Sequence, residues 1–431
     1  MSWPIVTLDS IKADVPYSFV GGPFGSNLTS KHYVDDGVPV IRGQNLGGPE
    51  CFDESGFVFV TPEKADQLRP NLAFRGDVLF TQRGTLGQVG LIPRSSKYDR
   101  YVVSQSQMKL TVDATKADAR YVYQYFRLES TIQVILNRTI TAGVPHINLR
   151  ILKSFEIPLP PLPAQRAIAE VAQAYDDLIA TNQRRIALLE DAARRLYREW
   201  FVHMRFPGHE SVKVKDGVPD GWLPLTLGDV CDAVGGGTPS TTRPEYWGGD
   251  VVWVTPTDVT RNDCIALLDS EKRITQAGLS NSSAKLVPRE TILMTSRASI
   301  GYFALMDKPA CTNQGFISVL PKRLNSRMFL LFNLLSRVDE MISLATGATF
   351  KEISKKTFRS LPVLWPAADP LKSFEDRVYP LIQQVRLIKK QNQQLVQARD
   401  VLLPKLMSGQ LDVSGIAMPR AVHTDGVPLP C

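Results

Sequence analysis

The chain contains itself twice. W-P-I-V-T-L-D-S-I, starting at Trp3, returns as W-L-P-L-T-L-G-D-V at Trp222. R-G-D-V-L-F-T-Q-R-G-T-L-G (Arg75–Gly87) returns as R-E-T-I-L-M-T-S-R-A-S-I-G (Arg289–Gly301), 214 residues on. Ile147 and Asn148 are matched by Ile353 and Ser354, and Pro160 by Pro366, 206 residues on. The spacing drifts as surface loops of two copies of one fold gain and lose residues. A period near 210 is too long for a solenoid unit, so whole domains are duplicated.

Each copy opens with short β-type runs. Val38–Arg42, Asp77–Thr81, Gln88–Pro93 and Met108–Val112 read as strands between Gly, Pro, Asn and Ser. Val251–Thr255, Thr291–Thr295 and Gly315–Leu320 are their second-copy counterparts. A helix is expected after the strands in each copy, near Ala119–Ile135 and Arg327–Leu344. The proline runs Ile157–Pro163 and Leu361–Pro366 then mark boundaries, because proline continues neither a ladder nor a helix interior.

A long helix closes each copy. Apolar residues recur in alternating steps of four and three at Ile168, Ala172, Tyr175, Ile179, Ile186, Leu189, Ala193, Leu196 and Trp200, with Asn182 in the one gap. The second stripe runs Phe374, Val378, Leu381, Val385, Ile388, Leu395, Leu402 and Leu406, with Asn392 and Arg399 in its gaps. Such steps over several heptads are a coiled-coil seam. At 1.5 Å per residue each stripe spans roughly 50 Å. The residue numbers of Ile168 and Leu406 have the same sum as those of Asn182 and Asn392, so a flush antiparallel pair sets the two asparagines opposite each other. One polar pair in an apolar seam fixes register. The helix-pairing residues are therefore Ile168, Ile179, Asn182, Ile186, Leu189, Leu381, Ile388, Asn392 and Leu395. The expected divisions are 1–157, a first domain; 158–206, a first long helix; 207–366, a second domain; 367–410, a second long helix; and 411–431, a disordered tail. The fold class is α+β: two similar α/β domains separated by two long antiparallel coiled-coil helices, an internal repeat with pseudo-twofold character.

Enzymatic readings find no support. Walker, H-E-x-x-H and G-x-S-x-G patterns are missing, as is an amino-methyltransferase N/D-P-P-Y/F. G-T-L-G-Q-V-G (Gly84–Gly90) has the wrong spacing for a dinucleotide loop and reads as turns. His32, His146, His203, His209 and His423 are dispersed, so neither a catalytic nor a metal constellation is visible. A charge of +7 permits an anionic partner such as nucleic acid without demanding one. Five scattered cysteines without a C-x-x-C pair suit a reducing cytoplasm better than a disulfide framework. No apolar run approaches membrane-spanning length, so no membrane partner is expected.

The ordered runs carry a resemblance. G-G-G-T-P-S-T-T-R-P-E-Y-W-G-G-D-V-V-W-V-T-P-T-D (Gly235–Asp258), Val287–Gly301, C-T-N-Q-G-F (Cys311–Phe316) and G-A-T-F-K-E-I-S (Gly347–Ser354) resemble a target-recognition domain of type I restriction–modification specificity subunits. Arg75–Gly87 and I-P-L-P-P-L-P-A-Q-R-A-I-A (Ile157–Ala169) match in the first copy, and S-G-Q-L-D-V (Ser408–Val413) resembles the end of the family's second helix. The second copy departs at its domain–helix junction, W-P-A-A-D-P-L-K-S-F. The resemblance implies a subunit that is not itself an enzyme, with no cofactor of its own. Double-stranded DNA would be its ligand, read as a bipartite target whose spacing the helices set. Its partners would be two methyltransferase subunits, bringing S-adenosylmethionine and adenine N6 chemistry, and two restriction motor subunits, bringing ATP and Mg. A specificity chain of a related restriction enzyme of another type, or a non-catalytic two-domain scaffold on a helical rod, remains the alternative.

Base edges are read by Arg, Lys, Asn, Gln and small hydroxyls on well-placed loops. The first copy offers Arg42, Gln44, Asn45, Gln82, Arg83, Gln105, Gln107, His146 and Asn148. The second offers Thr257, Asp258, Ser296, Arg297, Asn313, Gln314 and Lys351. Any of these can instead cap a turn. Arg83 and Arg297 stand out because both follow equivalent strands, although a shared structural salt bridge would explain that equally.

Overall fold

In the computed structural model, residues 3–48, 50–141, 144–347 and 349–412 are described. Most of the expected tail, from 413 onward, lies outside them. The chain forms two compact units. One takes the described residues up to Thr181 and those from Gln394 onward; the other is Asn182–Gln393.

The first unit holds two four-stranded sheets. In one, the order is Phe19–Gly21, Gln107–Leu110, Val78–Thr81, Val89–Leu91, all antiparallel. In the other it is Val58–Val60, Val38–Ile41, Tyr101–Val103, Leu72–Ala73, with Val38–Ile41 and Tyr101–Val103 parallel. Both central strands of the first sheet are buried at every position, but only Val78–Thr81 is a nearly continuous apolar run; Gln107–Leu110 alternates, and its buried Lys109 is paired with Asp77. The main core is formed by Leu79, Phe80, Tyr101, Met108, Phe126 and their neighbours.

The second unit repeats the plan. Its five-stranded sheet runs Cys231–Gly235, Phe316–Pro321, Ile292–Thr295, Phe303–Met306, Ala266–Leu267. A three-stranded sheet joins Arg273–Ile274, Trp247–Val254 and Ala310–Thr312, the last two parallel. Even the register is kept: Thr81 faces Gln107 in one copy, and Thr295 faces Phe316 in the other.

Three details differ from the sequence reading. The proline runs are not simple breaks: Glu156–Pro158 pairs with Ile5–Thr7, and Pro362–Trp365 with Leu223–Thr226. Each is a two-stranded ribbon, where a strand has a free edge and a missing N–H is tolerated. The first long helix consequently starts at Leu162 rather than 158, and the second at Ala368. Each shorter helix is split in two. Ala119–Phe126 and Glu129–Asn137 are separated where Leu128 turns extended and packs beside Ile168 and Leu403. Arg327–Leu335 and Val338–Ser343 are separated at Ser336 and Arg337. Cys231, Cys264 and Cys311 are buried thiols.

Two long helices, Leu162–Tyr197 and Ala368–Met407, contribute a segment to each unit. Within the first unit Ile168 and Ala172 pack against Leu403, Leu406 and Met407, while Asp176 pairs with Arg399 at 2.6 Å. Within the second, Asn182 donates to Asn392 at 2.8 Å, Ile186 packs with Val385 and Ile388, and Tyr197 and Trp200 reach Phe374. Numbers rise on one helix as they fall on the other, so the pairing is antiparallel in each unit. Leu189, Ile179, Leu381 and Leu395 are half-buried, and Ile382 beside Leu381 is fully buried.

Candidate nucleic-acid interface

In each unit the same set of loops meets at one end of the sheets. Backbone hydrogen bonds tie them together. In the first copy Ser104 N donates to Ile41 O (3.0 Å), Gln82 N to Ser106 O (2.7 Å), Ile147 N to Gln82 O (3.1 Å) and Gly22 N to Gln107 O (2.9 Å). In the second, Asn313 N donates to Val254 O (3.1 Å), Ser296 N to Gly315 O (2.8 Å), Ile353 N to Ser296 O (3.0 Å) and Gly237 N to Thr312 O (2.9 Å). The first three bonds of each set are equivalent, so the frame is shared, and most of the candidate residues lie on it.

A small loop completes each frame. Its base is closed by reciprocal bonds, Ile140 with His146 (2.9 and 3.2 Å) and Thr346 with Glu352 (3.0 and 2.8 Å). It lies beside the arginine that follows the central strand, with Arg83 bridged to His146 and Arg297 to Glu352. The next residue is left-handed in both copies, Gly84 at φ 97° and Ala298 at φ 60°. For alanine that conformation costs about 1 kcal/mol. The Ala298 N–H donates to Lys351 O at 2.9 Å, which holds it there.

The candidates divide by exposure. Arg83, Gln44, Gln105, Thr257, Gln314, Arg297 and Lys351 reach solvent, and Arg42, Gln82 and His146 are half-buried at the same rim. Several are steered by neighbours. Arg42 and Gln44 both donate to Gly56 O (2.8 and 2.7 Å), Gln105 donates to Leu28 O (2.8 Å), and Gln314 accepts from Thr238 Oγ1 (2.5 Å). Arg297 lies 5.9 Å from the Phe350 ring centre and 3.9 Å from Glu352. That separation from Glu352 is loose and largely solvated, so the guanidinium keeps donors for a ligand.

Other candidates are structural, which corrects the sequence reading. Asn45 is fully buried: its Oδ1 accepts from Arg42 N (2.8 Å) and its Nδ2 donates to Asp53 O and Ser55 O (2.9 and 3.1 Å). Gln107 is buried within its strand and accepts from Ser104 Oγ, and Ser296 is buried too. Asn148 caps the helix Leu149–Lys153 by accepting from Ile151 N. Asp258 accepts from Thr255 N and Oγ1 (both 2.7 Å) and from Ser270 Oγ (3.2 Å). Asn313 Oδ1 accepts from Gly315 N (2.9 Å) and shapes the turn before Phe316. These groups spend their acceptors on the loops that carry the exposed ones.

Sequence reasoning missed two residues at this rim. Val144 and Phe350 are 66% and 57% exposed, unusual for apolar side chains, and occupy the same place in the two small loops. The Ile147–Ile353 spacing already aligned them. Among the described residues no group of three or more His, Cys, Asp or Glu is placed to hold a metal, and no helix is long and apolar enough to cross a membrane.

Comparison with known proteins agrees with this architecture. The type I restriction enzyme MjaIX specificity subunit of Methanocaldococcus jannaschii is 32% identical over 182 residues, 40% of this chain and 42% of that one. The type I restriction enzyme HindI specificity subunit of Haemophilus influenzae is 21% identical over 408 residues, 78% of this chain and 87% of that protein. The crystal structure of a type I restriction-modification system S subunit from M. genitalium has the same fold, with a TM-score of 0.58, 17% identity, and coverage of 94% of this chain and 96% of that one. The family described as the type I restriction modification DNA specificity domain matches residues 28–191 and 219–397, one stretch in each copy, and this chain belongs to it.

Proposed function

We propose that the chain reads a split sequence on double-stranded DNA, one half-site per domain, and directs methyltransferase and restriction subunits to it. One observation carries this reading. The two copies hold the same loop frame but present different side chains on it. Arg42 and Gln44 in one copy stand where Thr255 and Thr257 follow the equivalent strand in the other, and His146 and Val144 stand where Glu352 and Phe350 do. A constant frame with changed tips is what reading two different half-sites requires. Arg83 and Arg297 suit guanine edges or phosphates, the glutamines suit adenine, and Val144 and Phe350 suit a thymine methyl or a partly opened base step. On this reading the chain has no catalytic residue or cofactor. Two methyltransferase subunits bring S-adenosylmethionine and modify adenine N6, and two motor subunits bring ATP and Mg for cleavage, in the cytoplasm.

The test is methylation mapping. Genomes with and without the gene should differ at one bipartite motif. Replacing residues 1–157 with the matching domain of a relative should change one half of that motif and leave the other. If both halves change together, the modular reading is wrong.

A further inference from the structure

The two copies differ sharply at the end of the sheet away from the reading loops. In the second copy the turn before Ile292–Thr295 carries Glu290, whose N–H donates to Met306 O at 2.8 Å. Its carboxylate accepts from Arg327 Nη1 (2.7 Å), Arg386 Nη1 (2.8 Å), Tyr379 Oη (2.9 Å) and Gln383 Nε2 (3.0 Å). Asp307 nearby pairs with Lys390 (2.6 Å), Arg386 (3.1 Å) and Arg289 (3.4 Å). Two carboxylates thus fasten the domain to its long helix.

The first copy lacks both. The repeat puts Gly76 where Glu290 stands and Pro93 where Asp307 stands. The backbone is otherwise the same: Gly76 N donates to Ile92 O at 2.8 Å, and φ is 89° at Gly76 and 64° at Glu290. The cations remain. A cleft of about 660 Å³ opens here, lined among others by Arg75, Arg94, Arg120 and Arg166. Arg75 and Arg120 are partly engaged, by Ser96 O and Asp99 and by Asp118. Arg94 and Arg166 are exposed, with no side-chain hydrogen bond or ion pair among the described residues. Asp77, also on the wall, is taken up by Lys109 at 3.1 Å.

We propose that this cleft docks an acidic segment of a partner polypeptide, whose carboxylates take the places that Glu290 and Asp307 fill in the second copy. Arginine matches carboxylates with paired donors, and the second copy displays that pairing internally. DNA is the less fitting occupant. The strand Val78–Thr81 runs from the cleft to Arg83, which puts the cleft roughly 20 Å from the reading loops at about 3.3 Å per residue.

Two probes test this on the full chain at 150 mM salt: a fluorescent hexaglutamate peptide, and the methyltransferase subunit. The second partner rests on the function proposed above; the peptide does not. Wild type and the charge-matched surface control Lys213→Glu/Lys285→Glu should bind both. Arg94→Glu/Arg166→Glu should bind both at least tenfold more weakly. Gly76→Glu, which brings in the second copy's own carboxylate, should do the same by filling the cleft from within, with its folded state verified by circular dichroism. The proposal is overturned if wild type ignores the peptide, or if Gly76→Glu binds it as wild type does. It is equally overturned if inorganic phosphate or DNA is the only ligand that the arginine variant loses.

Discussion

Replacing Glu290 with glutamine isolates the charge that clasps the second unit. The side chain is 11% exposed, and its partners Arg327 and Arg386 are 14% and 3% exposed. Burial alone would raise its pKa, but hydrogen bonds from Arg386, Tyr379 and Gln383 outweigh that and hold it down from 4.5 to about 2. That interval converts to about 3 kcal/mol in favour of the folded state, at about 1.4 kcal/mol per pKa unit. It falls at the lower end of the ~3–5 kcal/mol expected when one partner of a buried ion pair is lost. Because the folded pKa is depressed, the contribution is complete above pH 4.5 and disappears as pH falls through 2. Glu290→Gln should therefore lower the melting point of this unit by about 6–12 °C at pH 7. By pH 3.5 the difference should shrink to about 2 kcal/mol. Urea titrations at the two pH values, alongside calorimetry, measure both quantities. A loss below about 1 kcal/mol at pH 7, or a loss independent of pH, would refute the assignment of the stabilisation to this carboxylate.

Glu375 behaves in the opposite sense: burial pushes its pKa up to about 7 even though it accepts from Met328 N at 2.8 Å. Its ionisation costs stability as pH rises from 4.5 to 7, so Glu375→Gln should stabilise the chain at pH 8 by up to about 3 kcal/mol and change nothing below pH 4, measured by denaturant midpoints. Arg83→Ala and Arg297→Ala should each relax a different half-site and cost about 1–3 kcal/mol in DNA binding; loss of affinity without any change in base preference in either variant would assign that arginine to the phosphates. Asn182→Leu/Asn392→Leu should raise the melting temperature but broaden the distance distribution between spin labels at 188 and 387, because an apolar seam tolerates slipped registers. An unchanged, narrow distribution would mean that the domains, not the asparagine pair, hold the register.

Much of this protein is written locally in the chain. Duplication survives as repeated strings, and a helix seam survives as a stripe with steps of four and three. The stripe even placed Asn182 against Asn392, because a helix advances by a constant amount and one pairing then determines the rest. The strands were legible for a similar reason: a short apolar run between turn residues has few other uses. Free and structural polar residues could not be told apart this way. Gln44 and Asn45 are neighbours of nearly the same chemistry, yet one is exposed and the other is fully buried on carbonyls eight and ten residues away. Gln105 and Gln107 divide likewise, one at a loop tip and the other inside a sheet. Glu290 looked like one more charged turn residue until Arg386, 96 positions later, was seen against it. Whether a polar group is buried depends on segments that meet only when the chain is folded, and local periodicity says nothing about them. Hence two domains and a helix pair were legible in local pattern, whereas the division of the candidate residues into exposed and buried ones, and the arginine cleft, emerged only from long-range packing.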